Sequence, residues 1–185
     1  MAEITISLPD GSQRSLAEGA TATTLAESIG RGLAKAAVAA VVNGDEADLG
    51  SPLPAGATVA IITAESDAGR HVLRHSTAHV LAQAVVRLFP GAKYSIGPAI
   101  TDGFYYDFEL PDGRTFNEAD LATIDAEMRA IIKADQPFVR AELPAAEALQ
   151  VFAGQSYKCE IIERVSSGSA DNDDTGEIGR PAADA

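Results

Sequence analysis

Tryptophan is absent from this 185-residue chain, and aromatic residues make up only 5% of it. A core built without them has to come from Ala, Val, Ile and Leu, which the 46% hydrophobic content supplies. One cysteine, Cys159, excludes an internal disulfide framework and fits a reducing cytoplasm. Positive charge is also short: 14 Lys and Arg face 27 Asp and Glu, for a net −13. Phosphate binding needs clustered basic residues, so non-specific nucleic-acid binding, DNA included, is excluded as a main role. Contact with an RNA end at one locally basic site is not. The opening MAEITISLPDG lacks the basic and apolar regions of a signal peptide. The Ala/Val run at 36–42 is far too short to span a bilayer. These absences point to a cytoplasmic chain with no membrane partner.

What is present falls into two patterned stretches and a tail. ITISL (4–8) alternates like a strand, Pro9-Asp10-Gly11 makes a turn, and 14–18 can return beside it. Thr23 is placed to cap a helix over 24–29, with Leu25, Ala26 and Ile29 on one face. AKAAVAAVV leads as a buried strand into an Asn43-Gly44 hairpin signal, and ATVAIIT (57–63) closes the set. This order predicts α+β structure, a β-grasp (ubiquitin-like) roll over residues 1–64. The small polar stretch 64–69 reads as a linker.

A helical pattern then runs from Arg70 to Phe89 and stops at Pro90-Gly91. GFYYDFEL (103–110) and PFVRAEL read as strands, and 117–135 reads as a helix capped by Asn117. Its apolar stripe is Leu121, Ile124, Met128, Ile131 and Ile132. A short helix starts at Pro144, and YKCEIIERV reads as a strand. The second domain is therefore expected over 65–165 as helix on antiparallel sheet. Residues 166–185, acidic and without periodicity, are expected to be disordered.

All three histidines lie on one helical stripe: His71, His75 and His79. Residues four apart stack with Cβ atoms about 6 Å apart, so two imidazoles can share a water, a metal or a substrate group. His71 and His79 are separated by about 12 Å along the axis, too far to serve one centre. The useful pair is His75 with His79. A zincin protease needs Glu directly after the first His, and Ser76 stands there. A closed zinc site needs four Cys or His ligands, which the chain does not gather, so no tightly bound metal is expected. The remaining alternative is a pair of ordinary helix residues packed beneath a sheet.

RHSTAHVLAQAV, then YSIGPAITDGFYYDF, then GQSYKCEIIE together resemble the N-terminal half of bacterial threonyl-tRNA synthetases. The first 63 residues resemble the TGS domain that opens that family. Editing domains of alanyl-tRNA synthetases share the His-x-x-x-His helix but not the TGS unit or GFYYDF. The resemblance implies an accessory TGS module followed by an editing site that hydrolyses Ser from mischarged tRNA(Thr). Such a site answers a physical need, because one methyl group gives a pocket only ~1–3 kcal/mol of discrimination.

Carried over residue by residue, the family's editing groups fall on His75, His79, Tyr106 and Lys158. The resemblance implies that His75 binds or orients water or the serine hydroxyl, using the donor and acceptor of a neutral imidazole. It implies that His79 orients the site and that Lys158 holds a ribose or phosphate oxygen. Tyr106 would offer a hydroxyl and a flat wall. The implied partners are the acceptor end of tRNA(Thr) and the remaining synthetase domains. The family continues into a Cys-x-x-x-His segment, and residues 166–185 contain no Cys or His. ATP, magnesium and zinc are implied only for the family's catalytic core, and no cofactor is expected for this chain. The isolated chain is therefore expected to deacylate Ser-tRNA weakly or not at all. The competing expectation is a non-catalytic remnant that binds RNA or protein.

Overall fold

Alternation in ITISL becomes strand β1 (Glu3–Ser7), with Ile4 and Ile6 buried and Glu3 and Thr5 facing out. It pairs antiparallel with β2 (Gln13–Ala17) in the register Glu3↔Ala17 to Ser7↔Gln13. At the turn, Asp10 Oδ1 accepts the Ser12 N–H at 2.9 Å. The hairpin leads into α1 (Ala22–Ile29) and α2 (Arg31–Ala36). A second sheet holds β3 (Ala37–Val42) between β4 (Asp45–Ala47) and β5 (Val59–Thr63). Asn43 and Gly44 both have positive φ, 55° and 104°, as a two-residue hairpin with right-handed twist requires. A parallel bridge Ser7↔Thr58 and the bond from Ser7 N to Ala57 O (2.9 Å) join β1 to the β5 side. The strand order β2-β1-β5-β3-β4 with one main helix is a β-grasp roll. Its core is aliphatic, centred on the fully enclosed Ile6, Leu25 and Val59.

The computed structural model describes residues 2–139 and 141–168, and divides into a unit ending at Arg74 and a unit starting at His75. Helix α3 (Asp67–Leu88) begins in the first and ends in the second. Its first turn occupies part of the stretch read from sequence as a linker. Thr21, not Thr23, caps α1: the extended Thr21 backbone lets its Oγ1 accept the Thr24 N–H. Thr23 instead donates its hydroxyl to Leu49 O at 3.1 Å.

In the second unit, β6 (Lys93–Tyr94) pairs with β9 (Phe108–Glu109), and β7 (Ala99–Ile100) pairs with β8 (Gly103–Phe104). GFYYDFEL is thus two short strands separated by Tyr105, Tyr106 and Asp107, not one. Helix α4 (Glu118–Lys133) starts where expected: Asn117 Oδ1 accepts from Ala119 N (2.9 Å) and Asp120 N (3.1 Å). From its expected stripe only Ile124 and Ile131 are buried and Met128 partly so, while Leu121 and Ile132 remain exposed. Ala84, Val85, Ala92 and Leu110 complete that core. PFVRAEL forms no strand among its described residues, and Phe138, Val139 and Leu143 are exposed. Helix α5 (Ala145–Val151) follows Pro144.

The clearest correction is at YKCEIIERV, which belongs to helix α6 (Ser156–Ser166) and not to a strand. Its buried residues are Lys158, Ile161 and Ile162, spaced i, i+3, i+4 as on one helical face. Most of the acidic tail, residues 169–185, lies outside the described residues. Among the described residues no helix is long and apolar enough to cross a membrane.

Candidate functional site

Helix α3 brings His75 and His79 together one turn apart, as the spacing demands. Their Nε2 atoms stand 2.9 Å apart and the ring centroids 4.7 Å apart, so one ring donates to the other. His71 is exposed. His79 is partly buried, and its pKa is pushed down to about 4, first by burial and then by the charges of His75 and Lys158. It is therefore neutral throughout the physiological range. The edge of Phe138 meets its ring at 6.3 Å. One further turn along the stripe, Gln83 donates from Nε2 to Gln136 Oε1 at 2.8 Å, holding the 136–138 segment beside the histidines.

Lys158 approaches from α6. Only 3% of it is exposed, and burial lowers its pKa from the usual 10.5 to about 8. Its Nζ lies 5.4 Å from the centroid of the Tyr94 ring, a cation–π contact. No carboxylate pairs with it among the described residues. A buried ammonium without a counter-ion is costly to hold, and such groups concentrate at functional sites. On the strand expected from sequence, a solvated lysine side chain would be the ordinary case. It sits instead on the buried face of a helix.

Tyr106 lies in the irregular stretch between β8 and β9. It stacks on Phe108 (4.9 Å between centroids, 20° between planes) and meets Tyr94 edge-on at 6.3 Å. Burial, reinforced by Tyr94, raises its hydroxyl above the ordinary phenol range, so it stays protonated. Contacts tie His75 to His79, and Lys158 through Tyr94 to Tyr106, while the Lys158 charge helps hold the His79 imidazole neutral. A neutral imidazole pair can align a water. A desolvated ammonium can meet an anionic oxygen, and a protonated phenol can donate.

Sequence reasoning missed Tyr94, Phe138 and Gly97. At Gly97 a β-carbon would overlap the Tyr106 ring, so the absence of a side chain is what admits the tyrosine. Gly97→Ala is expected to displace the ring and cost about 1–3 kcal/mol of stability in urea unfolding, as overpacking does. In a Tyr106→Ala background the same change should cost nothing measurable. Equal costs in both backgrounds would show that the ring is not what Gly97 accommodates. Cys159 lies beside Lys158 with its Sγ on Phe152 O at 3.2 Å. No group of three or more His, Cys, Asp or Glu that could hold a metal occurs among the described residues.

Comparison with known proteins gives these groups a context. Residues 4–63 match the TGS domain family. The chain is 50% identical over 165 residues to a threonine–tRNA ligase of Citrifermentans bemidjiense, covering 88% of this chain and 26% of that protein. It is 51% identical over 162 residues to the Syntrophomonas wolfei threonine–tRNA ligase (86% and 25%) and 48% identical over 168 residues to that of Magnetococcus marinus (89% and 26%). The chain spans about a quarter of the length of these relatives. Residues 4–63 are thus a TGS domain, and the chain is a homologue of the N-terminal region of bacterial threonine–tRNA ligases.

Proposed function

We propose that the second unit carries the editing site of a cytoplasmic threonine–tRNA ligase and hydrolyses the ester between serine and the acceptor end of tRNA(Thr), with the TGS domain as an accessory module. The observation that carries this reading is the histidine pair at 2.9 Å together with a buried lysine that has no carboxylate partner among the described residues and whose charge helps keep His79 neutral. Ester hydrolysis needs a water held against the carbonyl, a path for its proton and a donor for the developing negative charge. The His75–His79 pair supplies positions for the water and its proton. His79, too weakly basic to keep a proton at neutral pH, serves as a relay and not as a store. Lys158 and Tyr106 supply donors to the ester, ribose or phosphate oxygens. A pocket too small for the extra methyl would spare threonine, restoring discrimination that a methyl alone cannot provide to the synthetic site.

The test is release of labelled serine from mischarged tRNA, with the chain continued by the downstream three-quarters of the Citrifermentans relative. Serine should leave much faster than threonine from the same tRNA. His75→Ala should slow serine release about 100-fold, the scale of a lost general acid–base group, without changing the far-ultraviolet circular dichroism. Equal release of the two amino acids, or a His75→Ala rate like the wild type, would refute hydrolytic editing. Tight binding of the tRNA end with no release would point to the non-catalytic reading.

A further inference from the structure

Strand β6 has two edges, and among the described residues only one faces a strand. Lys93 and Ser95 turn toward β9 and its approach, where Lys93 registers with Glu109 and Ser95 N donates to Asp107 O at 3.0 Å. Ala92 and Tyr94, alternating with them, turn their backbone groups the other way. There they meet the side chain of Gln155. Its Nε2 donates to Ala92 O at 3.1 Å, and its Oε1 accepts from Tyr94 N at 3.2 Å. A primary amide carries the same donor and acceptor as a peptide group, so one side chain pairs with the strand edge as a third strand would.

Gln155 is also the residue at which α6 begins, and it forgoes capping its own helix to make these bonds. Lys158 lies three residues later, one turn into that helix. Tyr94 is therefore engaged twice by the same element: its backbone by Gln155 and its ring by Lys158. Sequence distance sharpens the point, because the two bonds of Gln155 bridge 61 and 63 residues. Tyr157, in the same turn, donates to Glu109 on the neighbouring β9, and Gln155 is the residue that bonds the backbone of β6 itself.

We propose that Gln155 is a positioning residue for Lys158, its side-chain amide fixing the first turn of α6 on the edge of β6 so that the ammonium is held buried over Tyr94. The importance of that position for catalysis rests on the editing reading; the positioning itself does not. From other elements, the Tyr94 ring on β6 contacts Lys158, and the lysine charge reaches His79 on α3. On α6 itself Glu160, Glu163 and Arg164 are exposed to solvent.

The experiment follows the titration of Lys158 by nuclear magnetic resonance in protein labelled at the lysine ε-carbon. Gln155→Met keeps the length and removes both bonds, and Gln155→Ala removes the side chain. In both, the Lys158 titration should move upward from about 8 toward 10.5 by one unit or more, as the ammonium regains water. Exchange protection of the Tyr94 amide should fall with it. In the wild type, the Gln155 side-chain amide protons should exchange slowly. This last measurement decides the matter even where a variant does not fold. Fast exchange there, or an unmoved Lys158 titration in folded Gln155→Met, overturns the proposal and leaves Gln155 a general stabiliser. A moved titration in a protein that never releases serine would uphold the positioning role and count against editing.

Discussion

Lys158→Met is expected to make the protein more stable at pH 7 and, on the editing reading, to abolish serine release by the extended chain. The folded chain holds an ammonium that is 3% exposed, without a carboxylate partner among the described residues. Its pKa falls from 10.5 to about 8, and each unit corresponds to about 1.4 kcal/mol, so the charge costs on the order of 3 kcal/mol. The cation–π contact with Tyr94 offsets ~0.5–2 kcal/mol of that cost and does not cancel it. Methionine has similar length, no charge and good packing beside Ile161 and Ile162. The pH dependence provides the signature. Below pH 8 both folded and unfolded chains carry the lysine proton, and the penalty is full. Between about 8 and 10.5 only the unfolded chain carries it, so the wild type gains stability as pH rises and the gap to Lys158→Met closes. Thermal melts of both proteins from pH 6 to 10.5 measure this. A methionine variant that is no more stable at pH 7, or a gap independent of pH, would show that the ammonium is solvated.

Acid should act on the opposite side of neutrality through His79. Its folded pKa of about 4 lies below the usual 6.5, because burial and the charges of His75 and Lys158 disfavour the imidazolium. Above pH 6.5 the ring is neutral in both states and contributes nothing to the pH dependence. Between 6.5 and 4 the unfolded chain binds a proton that the folded chain refuses, so stability falls as pH falls. His79→Gln keeps a polar group at similar reach and removes that titration. Urea unfolding at pH 7, 6, 5 and 4.5 should show the wild type losing stability more steeply than the variant. Carboxylates such as Glu109 and Asp120, whose pKa values are lowered by hydrogen bonds from Tyr157 and Arg114 respectively, titrate in both proteins and cancel in the comparison. Parallel slopes for the two proteins would mean that His79 is open to water.

Both expectations rest on residues whose identity was legible in the sequence and whose environment was not. The four-residue spacing of His75 and His79 predicts adjacency on a helix, and adjacency is what α3 shows. Asn117 announces α4 because its capping chemistry is local. Alternation in ITISL marks β1 because one face of that strand meets the core. Lys158 departs from expectation at the level of the element, a helix in place of a strand. YKCEIIERV is rich in β-branched residues, which favour strands as a local preference, yet 158, 161 and 162 fit a helical face. Tertiary packing settled the choice. Reading that helical spacing would also have announced the anomaly, since it puts a lysine in line with two buried isoleucines. Gly97 and Gln155 act on groups distant in the chain, and no local pattern signals such a contact.

The parallel approach of β1 to β5 makes the order of synthesis matter. The β1–β2 hairpin can form as soon as residue 17 is free, but the other edge of β1 waits for Thr58, about forty residues later. Until then a nascent chain carries an apolar strand with an unsatisfied edge, the kind of surface that recruits strands from other chains. Joining first to last also raises the mean sequence separation of contacts, which slows folding relative to a unit of the same size built from neighbours. Truncation is correspondingly severe: a chain stopped before Gly56 loses the backbone neighbours of β1 on its other edge, and with β5 it loses one of the two partners of β3.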